Sequence, residues 1–191
     1  MKEIILASSS PRRKELLRRL GLKFRVAASD APEIPDLSLK PIALAKSLAL
    51  GKARAVAPKY PGALIIAADT IGVLRGKVLG KPEDTEDARK MLSALSGKTH
   101  TVITGLAILD AATGKVLTQA IETKVTFRRL SKREVEAYVA TCEPLDKAGA
   151  YAIQGRGALL IREIQGDYFN VMGLPLSALC QMLKRFGVYV L

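Results

Sequence analysis

The sequence predicts an α/β or α+β fold on a mixed sheet, from three observations. Apolar strand-like runs alternate with helix-like patterns along almost the whole chain, Pro and Gly mark the joins, and two long alternating segments bracket one tight turn. The first strand is EIILA. It leads into PRRKELLRRLG, a helix with Ser10 at the N-cap, Pro11 at N1, an apolar stripe of Leu16, Leu17 and Leu20, and Gly21 as its stop. KFRVAA is the second strand, followed by the Pro-rich loop APEIPDLSLKP. PIALAKSLALGKARAVAPKY is a long helix ended by Pro61 and Gly62, and ALIIAADTIGVL is a strand that carries Asp69 in its second half.

RGK turns that strand into VLG. After the loop GKPED, DTEDARKMLSALSG is an amphipathic helix with an acidic first turn and a stop at Gly97. The run from Thr101 to Leu130 is a hairpin around AATGK. SKREVEAYVATCE is a helix capped by Ser131, GALLIREIQGDY holds another strand, and PLSALCQMLKRFG is a last helix begun by Pro175 and ended by Gly187. No internal repeat and no low-complexity linker interrupts the pattern, so residues 1–191 are expected to form a single domain.

Composition narrows the function classes. With 191 residues, 49% of them hydrophobic, the chain can bury a core and is not of the disordered class. MKEIILASSS reads as a buried strand rather than a signal peptide, and no apolar run reaches the ~18 residues of a membrane span, so a cytoplasmic protein without a membrane partner is expected. Cys142 and Cys180 are far apart, with no second thiol or His at metal-ligand spacing, which argues against a zinc site or a disulfide framework. A formal charge of +12 favours anionic partners. Nucleic acid is the weaker choice among them, because the basic residues are dispersed and the 5% of aromatics includes no Trp to stack on bases.

Several segments carry residues suited to chemistry. SSSPRR joins a strand to a helix N-terminus, where free N–H groups, hydroxyls and two guanidiniums can hold an oxyanion; the alternative is an ordinary Ser10 cap beside two solvated arginines. A carboxylate after LIIAA, as Asp69 is, can bind a metal or accept a proton from water, or it caps the next turn. Lys81 stands between Gly80 and Pro82, which fix the backbone and let the ammonium project; Lys52 falls mid-helix, and for both the plain alternative is solvation. EPLDKAGAYAIQGRG lacks helix or strand periodicity and offers Tyr151 and Gln154 for orienting a ligand, or forms a tight irregular turn. Asn170 in GDYFNVMGLP is placed either to read a base edge or to cap the last helix. His100, the single histidine, is structural, and the absence of GxSxG argues against a Ser-His-Asp hydrolase.

In order, SSSPRR, AADT, GKP, LSGKTH, EPLDKAGAYAIQG and GLP resemble the Maf family of nucleotide pyrophosphatases, over Ile5 to about Phe186. The resemblance implies an α/β fold with an elongated mixed sheet flanked by helices, two lobes around a deep cleft, and kinship with the inosine triphosphate pyrophosphatases. It further implies a homodimer, and hydrolysis of a nucleoside triphosphate between the α and β phosphates with Mg²⁺ or Mn²⁺. Carried over by position, Ser8, Ser10, Arg12 and Arg13 would cradle the triphosphate, and Lys52 and Lys81 would add positive charge. Asp69 would be the proton acceptor or a metal ligand, and Glu33 would join it at the metal. The three positions that separate subgroups are Arg12, Thr70 and Gln154 here, the combination of the dTTP and UTP subgroup; an amide at 154 both donates and accepts, as the O4 and N3–H edge of uracil or thymine requires. The C-terminal ALCQMLKRFG is more similar to the 7-methyl-GTP subgroup, but it is remote in sequence from the three positions and is outweighed by them. Other readings are a 7-methyl-GTP or inosine triphosphate pyrophosphatase and, from another class, a basic nucleic-acid- or nucleotide-binding regulatory module without turnover.

Overall fold

The structure is a computed structural model and describes residues 2–28, 36 and 38–191. Its strands are β1 (Ile4–Leu6), β2 (Arg25–Val26), β3 (Leu64–Leu74), β4 (Lys77–Leu79), β5 (Thr99–Asp110), β6 (Val116–Phe127) and β7 (Ile161–Gln165), and its helices are α1 (Pro11–Arg19), α2 (Pro41–Val56), α3 (Thr85–Leu95), α4 (Lys132–Val139), α5 (Tyr168–Met172) and α6 (Leu176–Lys184). The seven strands form one mixed sheet in the order β2-β1-β3-β5-β6-β7, with β4 also paired to β3, and helices flank it. β1 is parallel to both β2 and β3, whereas β4 on β3 and β7 on β6 are antiparallel. The alternation of apolar runs and capped helices thus led to the right fold class. Among the described residues no helix is long and apolar enough to cross a membrane.

The chain divides into two compact units, each with its own core. The first comprises Met1–Asp69, Thr104–Ile121 and Gly173–Leu191. Its core joins Ile5 and Ala7 of the β1 end to Ile65 and Ala67 of β3 and to Ala49, Ala53 and Val56 of α2. The small side chains have a geometric cause. A Cβ on Gly105 of β5 would lie 2.0 Å from the carbonyl oxygen of Ala45, so α2 rests directly on the strand backbone, and its contact stripe, Ala45, Ala49 and Ala53, is fully buried.

The second unit comprises Thr70–Ile103 and Glu122–Met172. α3 and α4 contribute Ala88, Leu92, Leu95, Val135, Tyr138 and Val139 to its core, against Val125 and Phe127 of β6. Both helices begin on the expected signals: Asp84 accepts from the Asp87 N–H, and Ser131 and Glu134 form a reciprocal capping box. The turn from β3 to β4 has two left-handed residues, Arg75 and Gly76, which suits a two-residue hairpin loop.

Three boundaries depart from expectation. α2 ends at Val56 and passes into a 3₁₀ turn over Ala57–Lys59, because Pro58 has no N–H to continue the ladder. Pro175 sits outside α6 as its N-cap, in extended backbone, rather than within the first turn. The five-residue α5 was not expected; Asp167 creates it by accepting from the N–H groups of Phe169 (2.7 Å) and Asn170 (3.3 Å).

Candidate functional site

In the first unit, β1 and β3 run parallel with Leu6 opposite Ile66, so the residues just past Leu6, where β1 ends, lie beside those just past Ile66, which continue along β3. The carboxyl end of a strand such as β1 is where open α/β sheets present their ligands. Past Leu6 stands SSSPRR. Ser8 is buried, and its Oγ accepts from the Ser10 N–H at 3.2 Å and from Arg13 Nη1 at 3.4 Å. The Oγ of Ser10 accepts from the Arg13 N–H at 3.4 Å as the N-cap of α1, with Pro11 in the first turn. The Ser10 cap is therefore real, and the loop it closes has the hydroxyls, the helix N-terminus and the guanidinium of Arg13 in one place.

Arg13 is not simply solvated. Its Nε donates to the carbonyl of Gly173 at 2.7 Å, which fixes the guanidinium beside Ser8. Gly173 has a φ of 102°, a conformation natural to glycine, and it opens the GLP segment. The sequence pointed to GDYFNVMGLP through Asn170 and its loop-to-helix pattern, and to GLP through the family likeness, but not to Gly173 as a partner of Arg13; a clamp by a backbone carbonyl leaves no side-chain signature. Arg12 is half-buried on the same first turn of α1.

Past Ile66 stands Asp69, 7% exposed, whose Oδ1 forms an ion pair with Lys52 Nζ. The Lys52 side chain is itself only 13% exposed. α2 brings the pair together, since its Ala stripe presses it on the sheet and the neighbouring turn projects Lys52 toward Asp69 in the middle of β3. Solvated Lys52 and turn-capping Asp69, the plain alternatives, are both set aside by this geometry. Paired charges this far out of water need each other, and removing either leaves the other exposed to a desolvation cost.

Thr70, Lys81 and Gln154 belong to the second unit. Thr70 follows Asp69 on β3 and is half-buried. Lys81 is exposed while Pro82 is buried, and the Gly80 carbonyl accepts from the Gly149 N–H at 2.9 Å, so the GKP loop is pinned at its base and the ammonium projects. Gln154 is exposed and precedes a 3₁₀ turn over Gly155–Leu160 without capping it through its side chain. Glu33 lies outside the described residues. Among the described residues no cluster of three or more His, Cys, Asp or Glu is arranged to hold a metal ion.

Two residues proposed for ligand contact are structural. Asn170 is fully buried and its Nδ2 donates to the Val102 carbonyl (3.1 Å) and to Thr123 Oγ1 (2.9 Å), so it neither faces a base nor caps α6. Tyr151 is buried, and its hydroxyl meets His100 Nε2 at 2.8 Å within an edge-to-face cluster that includes Phe127. The rings are apolar enough to join the core. His100, as expected, is a core residue; burial holds its pKa down to about 4.

An α/β fold in which one strand ends in a hydroxyl- and guanidinium-lined helix N-terminus, beside a parallel strand that carries a carboxylate paired with an ammonium, defines a phosphate-handling class of protein. A family model described as Maf-like protein matches residues 3–186, and this chain belongs to that family. Over its whole length the chain is 54% identical to a dTTP/UTP pyrophosphatase from Moorella thermoacetica, with 98% of that protein covered. It is 52% identical to a dTTP/UTP pyrophosphatase from Pelotomaculum thermopropionicum, with 100% of both chains covered. Among solved structures, the Staphylococcus aureus Ham1 protein aligns over 84% of this chain and 80% of its own at 16% identity, with a TM-score of 0.47, a likeness too distant to bear on function.

Proposed function

We propose that this chain is a nucleoside triphosphate pyrophosphatase that acts on dTTP and UTP, releasing the monophosphate and pyrophosphate. The observation that carries the reading is the Lys52–Asp69 pair standing one strand away from the Ser8, Ser10 and Arg13 loop. Full-length relatives bearing the name dTTP/UTP pyrophosphatase support it.

In this reading Ser8, Ser10, Arg12 and Arg13 bind the triphosphate, with α1 contributing the positive end of its dipole. Lys52 and Lys81 offset the negative charge that builds on the departing pyrophosphate. Asp69 accepts the proton of the water that attacks the α phosphorus, and Lys52 holds the carboxylate in place. The same oxygen-donor chemistry fits a divalent cation: Mg²⁺ needs only one or two carboxylates when phosphates and water complete its shell, and Asp69 with Glu33 would provide them. Bound there, Mg²⁺ or Mn²⁺ would supply charge neutralisation on the phosphate oxygens. Arg12, Thr70 and Gln154 select the base. A homodimer in the cytoplasm, and a single domain over residues 1–191, complete the proposal.

A panel of UTP, dTTP, 7-methyl-GTP and inosine triphosphate, assayed with Mg²⁺ for pyrophosphate release, tests it. Release fastest from UTP and dTTP is expected. Equal or better turnover of 7-methyl-GTP would move the chain to the other subgroup, and no release from any of them would end the enzymatic reading.

A further inference from the structure

The loop that bears Gln154 has little regular structure of its own. Its backbone instead closes around two side chains that the reaction does not use. Glu143 receives three hydrogen bonds: Oε1 accepts from the Tyr138 hydroxyl (2.9 Å) and the Gly157 N–H (3.1 Å), and Oε2 accepts from the Arg156 N–H (3.2 Å). The Tyr138 hydroxyl, while donating to Glu143, accepts from the Ala152 N–H at 3.1 Å. Residues 152, 156 and 157 are thus tied to one carboxylate and phenol couple, and Gln154 sits in the middle of the tied stretch.

The fit is tight as well as bonded. A Cβ on Gly155 would come within 2.9 Å of Glu143 Oε2, and one on Gly157 within 2.6 Å of the Tyr138 hydroxyl and 2.2 Å of the Ala152 carbonyl. Gly155 also has a φ of +68°. The two glycines of QGRG are there so that the backbone can reach the couple. A carboxylate is required at 143 because three donors converge on it, and an ionised carboxyl only accepts. Tyr138 is anchored in turn by α4, where it is buried among Val135, Val139 and the rest of the second core.

We infer that Glu143 and Tyr138 are positioning residues for base selection, setting the place of Gln154 by gripping the backbone on both sides of it. This rests on the reading of Gln154 as a base-selecting residue. An amide that must donate to O4 and accept from N3–H of a pyrimidine at once discriminates only if it is held in register, and a misplacement of ~1 Å can cost as much as ~100-fold.

The test compares kcat and KM for dTTP and dCTP in the wild type and in Glu143→Gln, Tyr138→Phe and Gln154→Ala, with inhibition by inorganic triphosphate as a readout of the phosphate cradle. In Glu143→Gln the new NH₂ faces an N–H donor, and one side of the grip opens. Tyr138→Phe keeps the ring in the core and removes only the hydroxyl, so it remains informative should the first variant fold poorly. Both are expected to narrow the dTTP to dCTP ratio of kcat/KM about tenfold, through a raised KM for dTTP, with triphosphate inhibition unchanged. The Glu143→Gln, Gln154→Ala double variant should be no less selective than Gln154→Ala alone, because both changes act through one side chain. A wild-type ratio in Glu143→Gln and Tyr138→Phe, or additive losses in the double variant, would overturn the inference while leaving Gln154 its role. An unchanged ratio in Gln154→Ala would overturn that role itself, and the inference with it.

Discussion

Replacing Asp69 with Asn removes a charge from a pair in which both side chains are largely out of water. Turnover is expected to fall by about 10²–10⁴, the usual worth of a positioned general base. The unfolding free energy is expected to drop by about 1–3 kcal/mol, since Lys52 loses the Asp69 charge but can shift toward solvent. Urea denaturation beside steady-state kinetics separates the two effects. A second residue ties stability to pH. His100 is 2% exposed and burial lowers its pKa from 6.5 to about 4. The unfolded chain therefore takes up a proton that the folded chain refuses. The folded state keeps its full stability above about pH 6.5 and loses up to about 3 kcal/mol as pH falls toward 4. Urea midpoints between pH 4 and 7 should show that slope, and His100→Gln, with nothing to titrate there, should lack it. Residues such as Ser10 were legible because capping has a local grammar. Asn170 and Tyr151 were misread for the opposite reason: a buried amide bonded to Val102 and Thr123, or a phenol meeting a histidine, looks in sequence like a ligand-facing polar group.

Among the elements, α2 bears the closest fit. Gly105→Ala would drive a methyl into the Ala45 carbonyl at 2.0 Å, and that atom belongs to a helix backbone that cannot rotate away. A loss of roughly 3 kcal/mol is expected, at the upper end of overpacking costs, with activity lost in parallel because α2 carries Lys52. Thermal melting and pyrophosphate release measure the two; a melting point equal to the wild type would contradict the contact. At Ser10→Ala the expected loss is only about 1 kcal/mol. The strands and long helices were readable from periodicity and from Pro and Gly, but α5 was not, being five residues held by one aspartate. EPLDKAGAYAIQGRG was legible only as an irregular turn, since the backbone at Arg156 and Gly157 is held by bonds to Glu143 rather than by local propensity.

For the whole molecule, a formal charge of +12 should draw a polyanionic triphosphate toward the protein. Raising salt from about 0.02 to about 0.3 M is expected to increase KM for UTP roughly three- to tenfold while leaving kcat within about twofold, because screening weakens encounter more than chemistry. The fold class was legible at this scale from alternation alone. Two lobes were implied by the family resemblance alone; the boundaries of the two compact units were not legible, because they fall inside β3, β5 and β6 and nothing in those sequences marks them. The proposal that Asp69 directs water to the α phosphorus is tested most directly by turning over UTP in ¹⁸O-labelled water and locating the label. All of it is expected in UMP, with unlabelled pyrophosphate; label in pyrophosphate or in inorganic phosphate would place the attack on another phosphorus and contradict the assignment.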